Sequence, residues 1–206
     1  MPIEYQTMRR EHIDGVVTCL MDSFLNREPM TRALALTDAA YRYFLEITAA
    51  KAADDGVSFV AVDAGQVVGC LLAEDLASPP PVGSERIDPS MAPLFGLLDE
   101  LQGRLGQPGE IAPGQYLHLF MRGVVDGHEG QGIGGTLYRL VEDLGRAKGY
   151  RELINECTGA RSQYLTEKAG GVMSGEIVYR EFSYEGTRPF ASIEAPPSCR
   201  LYRRVL

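Results

Sequence analysis

The run Glu129-Gly130-Gln131-Gly132-Ile133-Gly134-Gly135-Thr136 holds four glycines in six residues, between an apolar extended stretch and an amphipathic one. Ahead of it, Tyr116 to Met121 and then Gly123-Val124-Val125 suit a buried pleated surface, which predicts a strand. Behind it, Leu137, Leu140, Val141 and Leu144 recur at helical spacing, with Arg139, Glu142, Asp143 and Arg146 on other faces. Strand, glycine loop and helix together make an anion site. Glycines let the backbone curl close to a ligand, and the first-turn N–H groups lack internal partners and carry the positive end of the helix dipole. A pyrophosphate fits such a loop; the plainer alternative is a helix start that needs glycines only to turn. His118, on the same strand, has an ordinary pKa suited to proton transfer near neutrality. Alternation puts it on the face of Tyr116 and Phe120, where it either lines a pocket or fills a core layer.

Two kinds of loop have this pattern. Gly130-x-Gly132-x-x-Gly135 satisfies the dinucleotide fingerprint, with Glu152 or Glu156 near the expected distance of ~20 residues. That fingerprint should open a βαβαβ array, whereas this one comes past the chain's midpoint. The second match is better. Val124 and then Glu129-Gly130-Gln131-Gly132-Ile133-Gly134 resembles the signature of the GNAT N-acetyltransferase superfamily: Arg or Gln, two variable residues, Gly, one variable residue, then Gly or Ala. The resemblance implies that the amides from Glu129 through Gly130, Gln131, Gly132, Ile133, Gly134 and Gly135 to Thr136 bind the pyrophosphate of acetyl-CoA. It also implies that the strand edge around Arg122 to Val124, with Val125, bonds the pantetheine arm, with Gly123 marking a local bulge. Glu129 stands where Arg or Gln is usual. An anion beside a phosphate is unfavourable, so Glu129 should point away or affinity should rest on backbone amides.

By the same resemblance the chain is an acetyltransferase that moves an acetyl group from acetyl-CoA to the primary amine of a small molecule, by direct attack in a ternary complex. That chemistry needs a base for the ammonium and a proton for the departing thiolate. Phe24 followed by Glu28-Pro29-Met30 resembles the Glu-Pro-Leu segment of the insect arylalkylamine branch, where the glutamate is the base. Glu28 is therefore the first candidate, against the reading of a solvated carboxylate at a helix end, and His118 is its rival. Many family members place a tyrosine donor before Glu-Lys-x-Gly-Phe. The matching stretch here is Thr166-Glu167-Lys168-Ala169-Gly170-Gly171, so that tyrosine is missing. Tyr164 lies about 200° around a helix from Thr166, whereas Ser162 shares its face and becomes the candidate donor. The alternative is that Ser162 and Thr158 only cap a short helix. Two other functions stay open: a GNAT-like module that holds coenzyme A as a sensor without transferring anything, and a dinucleotide-binding protein.

Composition narrows the setting. With a net charge of −8, a pI near 5.0 and no basic stripe, the chain is no candidate for nucleic acid, and an acidic surface favours cationic small molecules. Cys19, Cys70, Cys157 and Cys199 are far apart and form no CxxC pair, which suggests a reducing cytoplasm and no metal site. No apolar run approaches membrane-spanning length.

The elements that must position these residues read as follows. Ile3 to Met8 is a strand, and Glu11 to Phe24 a helix ending near Asn26; Pro29 helps break it and restricts Glu28 to extended geometry. A second helix spans Thr31 to Asp54, broken near Thr37-Asp38. Strands at Val57–Val62 and Gln66–Ala73 are joined by the hairpin signal Asp63-Ala64-Gly65. A proline-rich loop from Asp75 to Pro89 and a helix from Ser90 to Leu105 make up an insertion over 75–114. After the glycine-loop helix come a strand at Arg151–Cys157, a helix at Thr158–Ala169, and terminal strands at Ile177–Tyr184 and Arg200–Val205, which could pair across a homodimer. The order resembles the GNAT fold over nearly the whole chain. The expectation is thus a single α/β domain, residues 1–206, with a mixed, mostly antiparallel sheet splayed at its central strands and flanked by helices.

Overall fold

Ala64 (φ 48°) and Gly65 (φ 80°) both take positive φ, the geometry of a two-residue turn whose twist matches its flanking strands. They join β2 (Phe59–Asp63) to β3 (Gln66–Asp75), and the hairpin is extended on one side by β1 (Glu4–Thr7) and on the other by β4 (Tyr116–Val124). This computed structural model describes residues 2–25, 27–106 and 109–206; the expected helix end near Asn26 lies outside the described residues. With β5 (Glu152–Cys157), β6 (Val172–Val178) and β7 (Ser198–Val205), the strands form one seven-stranded sheet ordered β1-β2-β3-β4-β5-β7-β6. Every pairing is antiparallel except β4 with β5.

That exception makes the site. The parallel ladder covers only Tyr116–His118 against Glu152–Ile154, and beyond it the two strands part. Phe120 is the extra residue of a bulge, since Leu72 pairs with Met121 and the next residue, Ala73, with Leu119. The bulge was expected at Gly123, which instead has a different duty. A Cβ there would lie 2.8 Å from Ser23 Oγ and 3.1 Å from Leu20 Cδ2. Gly123 is bare because a helix crosses the strand on it. The bulge shifts the phase of β4, so that Leu119 packs with one cluster while Phe120 and Met121 both face the other.

The crossing helix is α1 (Ile13–Leu20), which widens into a π-helical turn at Met21–Leu25 where it meets β4. There Ser23 Oγ donates to the Val124 carbonyl at 3.2 Å. Then come α2 (Pro29–Ala33) and α3 (Asp38–Asp55). Pro29, expected to lie in the break, opens α2 as a first-turn residue, where its missing N–H costs nothing. On one face of the sheet α1 and α3 bury Val16, Leu20, Tyr41 and Leu45. On the other, α5 (Ile133–Lys148) buries Leu137 and Val141 against Leu71, Leu117 and Leu153. Each such residue contributes about 1.5–3 kcal/mol, which holds β4 and β5 in place where they no longer pair.

The third cluster belongs to α4 (Ala92–Gln102) and the far end of the sheet. Here the expected strand Ile177–Tyr184 is corrected: β6 starts at Val172, directly after the turn at Gly170 (φ 86°). Tyr179 and Phe182 lie past its end. They are apolar because they pack on Phe190, with Phe182 stacked at 5.7 Å and Tyr179 edge-on at 6.1 Å. Among the described residues no helix is long and apolar enough to cross a membrane.

Candidate active site

At the glycine loop, Gly127, Gly130 and Gly132 all have φ near +80° (82°, 77° and 79°), and Gly132 is the N-cap of α5. A Cβ on Gly130, Gly132 or Gly135 would meet nothing within 4 Å. These glycines therefore border open space. The Thr136 amide bonds back to the Gly132 carbonyl at 3.0 Å, which leaves the first-turn amides of Ile133, Gly134 and Gly135 for a ligand. A cleft of ≈ 650 Å³ runs from here along the unpaired edge of β4, past Arg122, Gly123 and Val124, to Glu28 and Ser162. A pyrophosphate and its arm fit this shape. Of the strand residues expected to bind them, Val125 donates its amide to the Val68 carbonyl at 3.0 Å.

Glu129 is not left bare beside the loop. Its carboxylate accepts from Arg27 Nη1 at 2.7 Å and Arg161 Nη1 at 3.0 Å. Arg27 also reaches Asp22 at 2.9 Å and the Val124 carbonyl at 3.1 Å. The acidic substitution thus holds two guanidinium groups at the cleft mouth, one on each wall. Gln131 donates to the Gly127 carbonyl at 3.4 Å. Arg122 adds a cation under the loop: it lies 6.0 Å from the Tyr138 ring and makes no ion pair among the described residues. Burial lowers its pKa.

The inner end of the cleft opens on a cavity of ≈ 110 Å³ walled by Phe24, Tyr41, Phe44, Leu94, Leu98 and Phe120. Glu28, Arg122 and Ser162 line both spaces. Glu28 is 9 % exposed, against the solvated alternative, and it is fixed as the N-cap of α2. It accepts from Met30 N at 3.0 Å, Thr31 N at 2.6 Å and Thr31 Oγ1 at 2.6 Å. Burial, and then the nearby Glu28 charge, push the Tyr41 phenol well up. Ser162 accepts from Gly159 N at 3.3 Å and donates to Gly159 O at 2.8 Å. Its capping contacts and its place in the cavity wall coexist. Thr158 is not the cap of α6 (Ala160–Lys168); Gly159 is. Thr166 is buried against Asn155 and Cys157, while Tyr164 is 60 % exposed.

His118 sits apart from the cleft and this cavity. It is 2 % exposed, with Nδ1 3.1 Å from Glu74 Oε1 and Nε2 2.7 Å from Glu156 Oε2. Burial alone would lower its pKa, but the carboxylates of Glu156 and Glu74 outweigh it and raise it to about 10. Both ring nitrogens are thus engaged by carboxylates. Its ring lies edge-on to Phe120 at 5.5 Å, on the strand face expected for it. His128 has Nε2 3.4 Å from Asp63 Oδ2.

The dinucleotide reading falls on the same geometry. Glu152 pairs with Arg203 at 2.6 Å and Glu156 with His118, on a mostly antiparallel sheet rather than a βαβαβ array. The sequence carries no sign of Arg27, of Arg161 or of the Glu156 Oε1, which is buried without a hydrogen-bond partner among the described residues. Arg27 adjoins Glu28, but nothing local says that it spans the cleft.

Strands that splay beside a glycine-capped helix, with a buried carboxylate at the inner end, define an acyl-CoA-type transferase site. The chain belongs to the acetyltransferase (GNAT) family, whose model matches residues 21–170. Its fold is similar to the C-terminal condensation domain of Ebony in complex with beta-alanyl-dopamine, at 19 % identity and a TM-score of 0.89, with all of each chain covered. It is also similar to arylalkylamine N-acetyltransferase 2 from Aedes aegypti, at 22 % identity and TM-score 0.81, covering 100 % of this chain and 99 % of the other. A third similar structure is the Drosophila melanogaster polyamine N-acetyltransferase, which catalyses the formation of N-acetylagmatine, at 20 % identity and TM-score 0.77 over all of both chains.

Proposed function

We propose that the protein transfers an acetyl group from acetyl-CoA to the primary amine of a small molecule, by direct attack in a ternary complex. The observation that carries this reading is that Glu28, Arg122 and Ser162 line both the coenzyme cleft and the apolar cavity, so the two spaces meet at a carboxylate. In this reading the loop amides from Gly130 to Gly135 hold the pyrophosphate, the edge at Val124 guides the arm, and Arg27, Arg122 and Arg161 supply positive charge; the expected Thr136 and Val125 amides are instead bonded to the Gly132 and Val68 carbonyls. Glu28 takes the ammonium proton, the amine nitrogen bonds the acetyl carbon as the C–S bond breaks, the Ser162 hydroxyl gives its proton to the thiolate, and the second proton shed by the nitrogen as the amide forms restores that hydroxyl. The whole chain, 1–206, acts as one domain, and the segment 75–114 serves as an insertion whose Leu94 and Leu98 wall the acceptor cavity.

The acceptors most in keeping with an aromatic-walled, carboxylate-bearing cavity are arylalkylamines and polyamines, the classes on which two similar structures act. We read the setting as cytoplasmic, consistent with four buried free thiols, with no nucleic-acid or membrane partner. A homodimer through the terminal strands is supported by β6 lying at the sheet edge with Val172 and Met173 exposed. The test is thiol release from acetyl-CoA across a panel of amines, alongside calorimetric binding of acetyl-CoA. Binding without release for any amine would return the chain to a coenzyme-holding module, and no binding at all would remove the reading.

A further inference from the structure

We propose that Glu156 is a second recognition group in the acceptor cavity, selecting amines that carry another cationic group beyond the one acetylated. This rests on the acetyl-transfer reading and names its substrate class. The side chain of Glu156 is 4 % exposed and lines the cavity that Glu28 lines. Its Oε2 is held by His118 at 2.7 Å, whereas Oε1 is buried and has no hydrogen-bond partner among the described residues. A buried carboxylate oxygen left without a donor loses its hydration and gains nothing in exchange. Folding alone gives no reason for that cost, and a ligand that brings a donor would remove it.

The charge count says which donor. Asp55, Glu74 and Glu156 form a chain with Lys51 and His118, in which Lys51 bonds Asp55 and Glu74, and His118 bonds Glu74 and Glu156. Three carboxylates share two cations. Asp99 lies close enough that burial, and then Glu156, raise its pKa. The cation that does line the cavity, Arg122, lies toward Tyr138 and Gly134 on the coenzyme side. A phenol hydroxyl would complete the hydrogen bond and leave the excess charge in place; an ammonium or guanidinium completes both. Phe44 and Phe120 stand between the two carboxylates' elements as the wall against which the carbon chain of such an acceptor would lie.

The experiment compares kcat/KM by thiol release for putrescine against butylamine and for tyramine against phenethylamine, in the wild-type protein and in Glu156→Gln. The expected result is a preference for putrescine over butylamine of about 10- to 100-fold, the span of one charge-assisted hydrogen bond, which falls toward unity in the variant. Acetyl-CoA affinity, measured in parallel, should be the same in both proteins. No preference in the wild type overturns the proposal, and this comparison stands even where the variant does not fold. A tyramine preference lost in the variant overturns it in favour of a neutral donor, and an equal loss on all amines assigns Glu156 to holding His118. Calorimetry of putrescine on the coenzyme-loaded protein separates the two readings: binding that needs Glu156 without thiol release sinks acetyl transfer and leaves this proposal standing.

Discussion

The coenzyme cleft and the acceptor cavity share Glu28, yet they are assembled by different means. The cleft is made of main chain: three left-handed glycines, the first turn of α5 and the strand edge left free when β4 departs from β5. The cavity is made of side chains from the π-helical turn, α2, α3, α4, β4 and β5, brought together from positions as far apart as Phe24 and Ser162. A backbone site tolerates most side-chain change and answers only to conformation. A side-chain site changes with each residue, which is how one fold can keep its donor and alter its acceptor.

The sharpest way to break the first half of that comparison is Gly132→Glu. It forces a side chain into a left-handed position (φ 79°) that faces open cleft and adds an anion beside the amides. We expect calorimetric acetyl-CoA binding to fall by more than about 100-fold, or roughly 2.7 kcal/mol, while amine binding to the free protein is retained. Equal loss of both would show that the two regions are not separable.

The next effect belongs to the shared residue. Glu28→Gln should lower kcat/KM near neutral pH by roughly 10²–10⁴-fold, the usual worth of a positioned base, and shift the rate profile upward, because the amine must then lose its proton to solvent. The amide keeps one of the two capping oxygens, so the melting temperature should fall by the worth of one cap contact, about 1 kcal/mol, far less than the loss in rate. An unchanged profile would take the base role away from Glu28.

His118→Gln probes the wall rather than the chemistry. It leaves Glu74 and Glu156 without their shared cation, so we expect a stability loss of roughly 3–5 kcal/mol, as when a buried pair is broken. The sign with pH follows from the raised pKa. His118 contributes stability that is complete below its ordinary 6.5 and is lost as pH rises toward about 10. Burial would raise the Glu74 pKa, but His118 and Lys51 lower it, so its share is present above the ordinary 4.5 and is lost on acidification. Thermal melts of the wild type should therefore weaken from neutral toward pH 10, and the variant should be flatter there. A wild-type melt that does not move over that range would mean that the ring is not an imidazolium. The smallest effect is Glu129→Gln, which frees Arg27 and Arg161: acetyl-CoA should bind about two- to fivefold tighter and with steeper salt dependence, since exposed pairs are worth ~0.2–1 kcal/mol.

The same contrast explains what could be read in advance. The glycine loop, its strand and its helix were legible because their signals are local: positive φ demands glycine, and the helix periodicity follows directly. The hairpin at Ala64-Gly65 was legible for the same reason. The bulge was placed at Gly123 because a glycine in a strand suggests one, but that glycine answers to Leu20 and Ser23 some hundred residues earlier, and the true bulge at Phe120 has no composition of its own. Tyr179 and Phe182 read as strand because burial in a turn needs the same side chains as burial in a sheet. His118 looked like a base because its partners, Glu74 and Glu156, are 44 and 38 residues away. Glu129 looked misplaced until Arg27 and Arg161 were beside it.

Arg27 and Glu28 are consecutive, and one peptide bond therefore joins the mouth of the cleft to the carboxylate at its inner end. At that mouth Arg27 is anchored to both the Glu129 carboxylate and the Val124 carbonyl. A change at Arg27 would therefore be felt twice, through the charge at the mouth and through the backbone that carries the carboxylate.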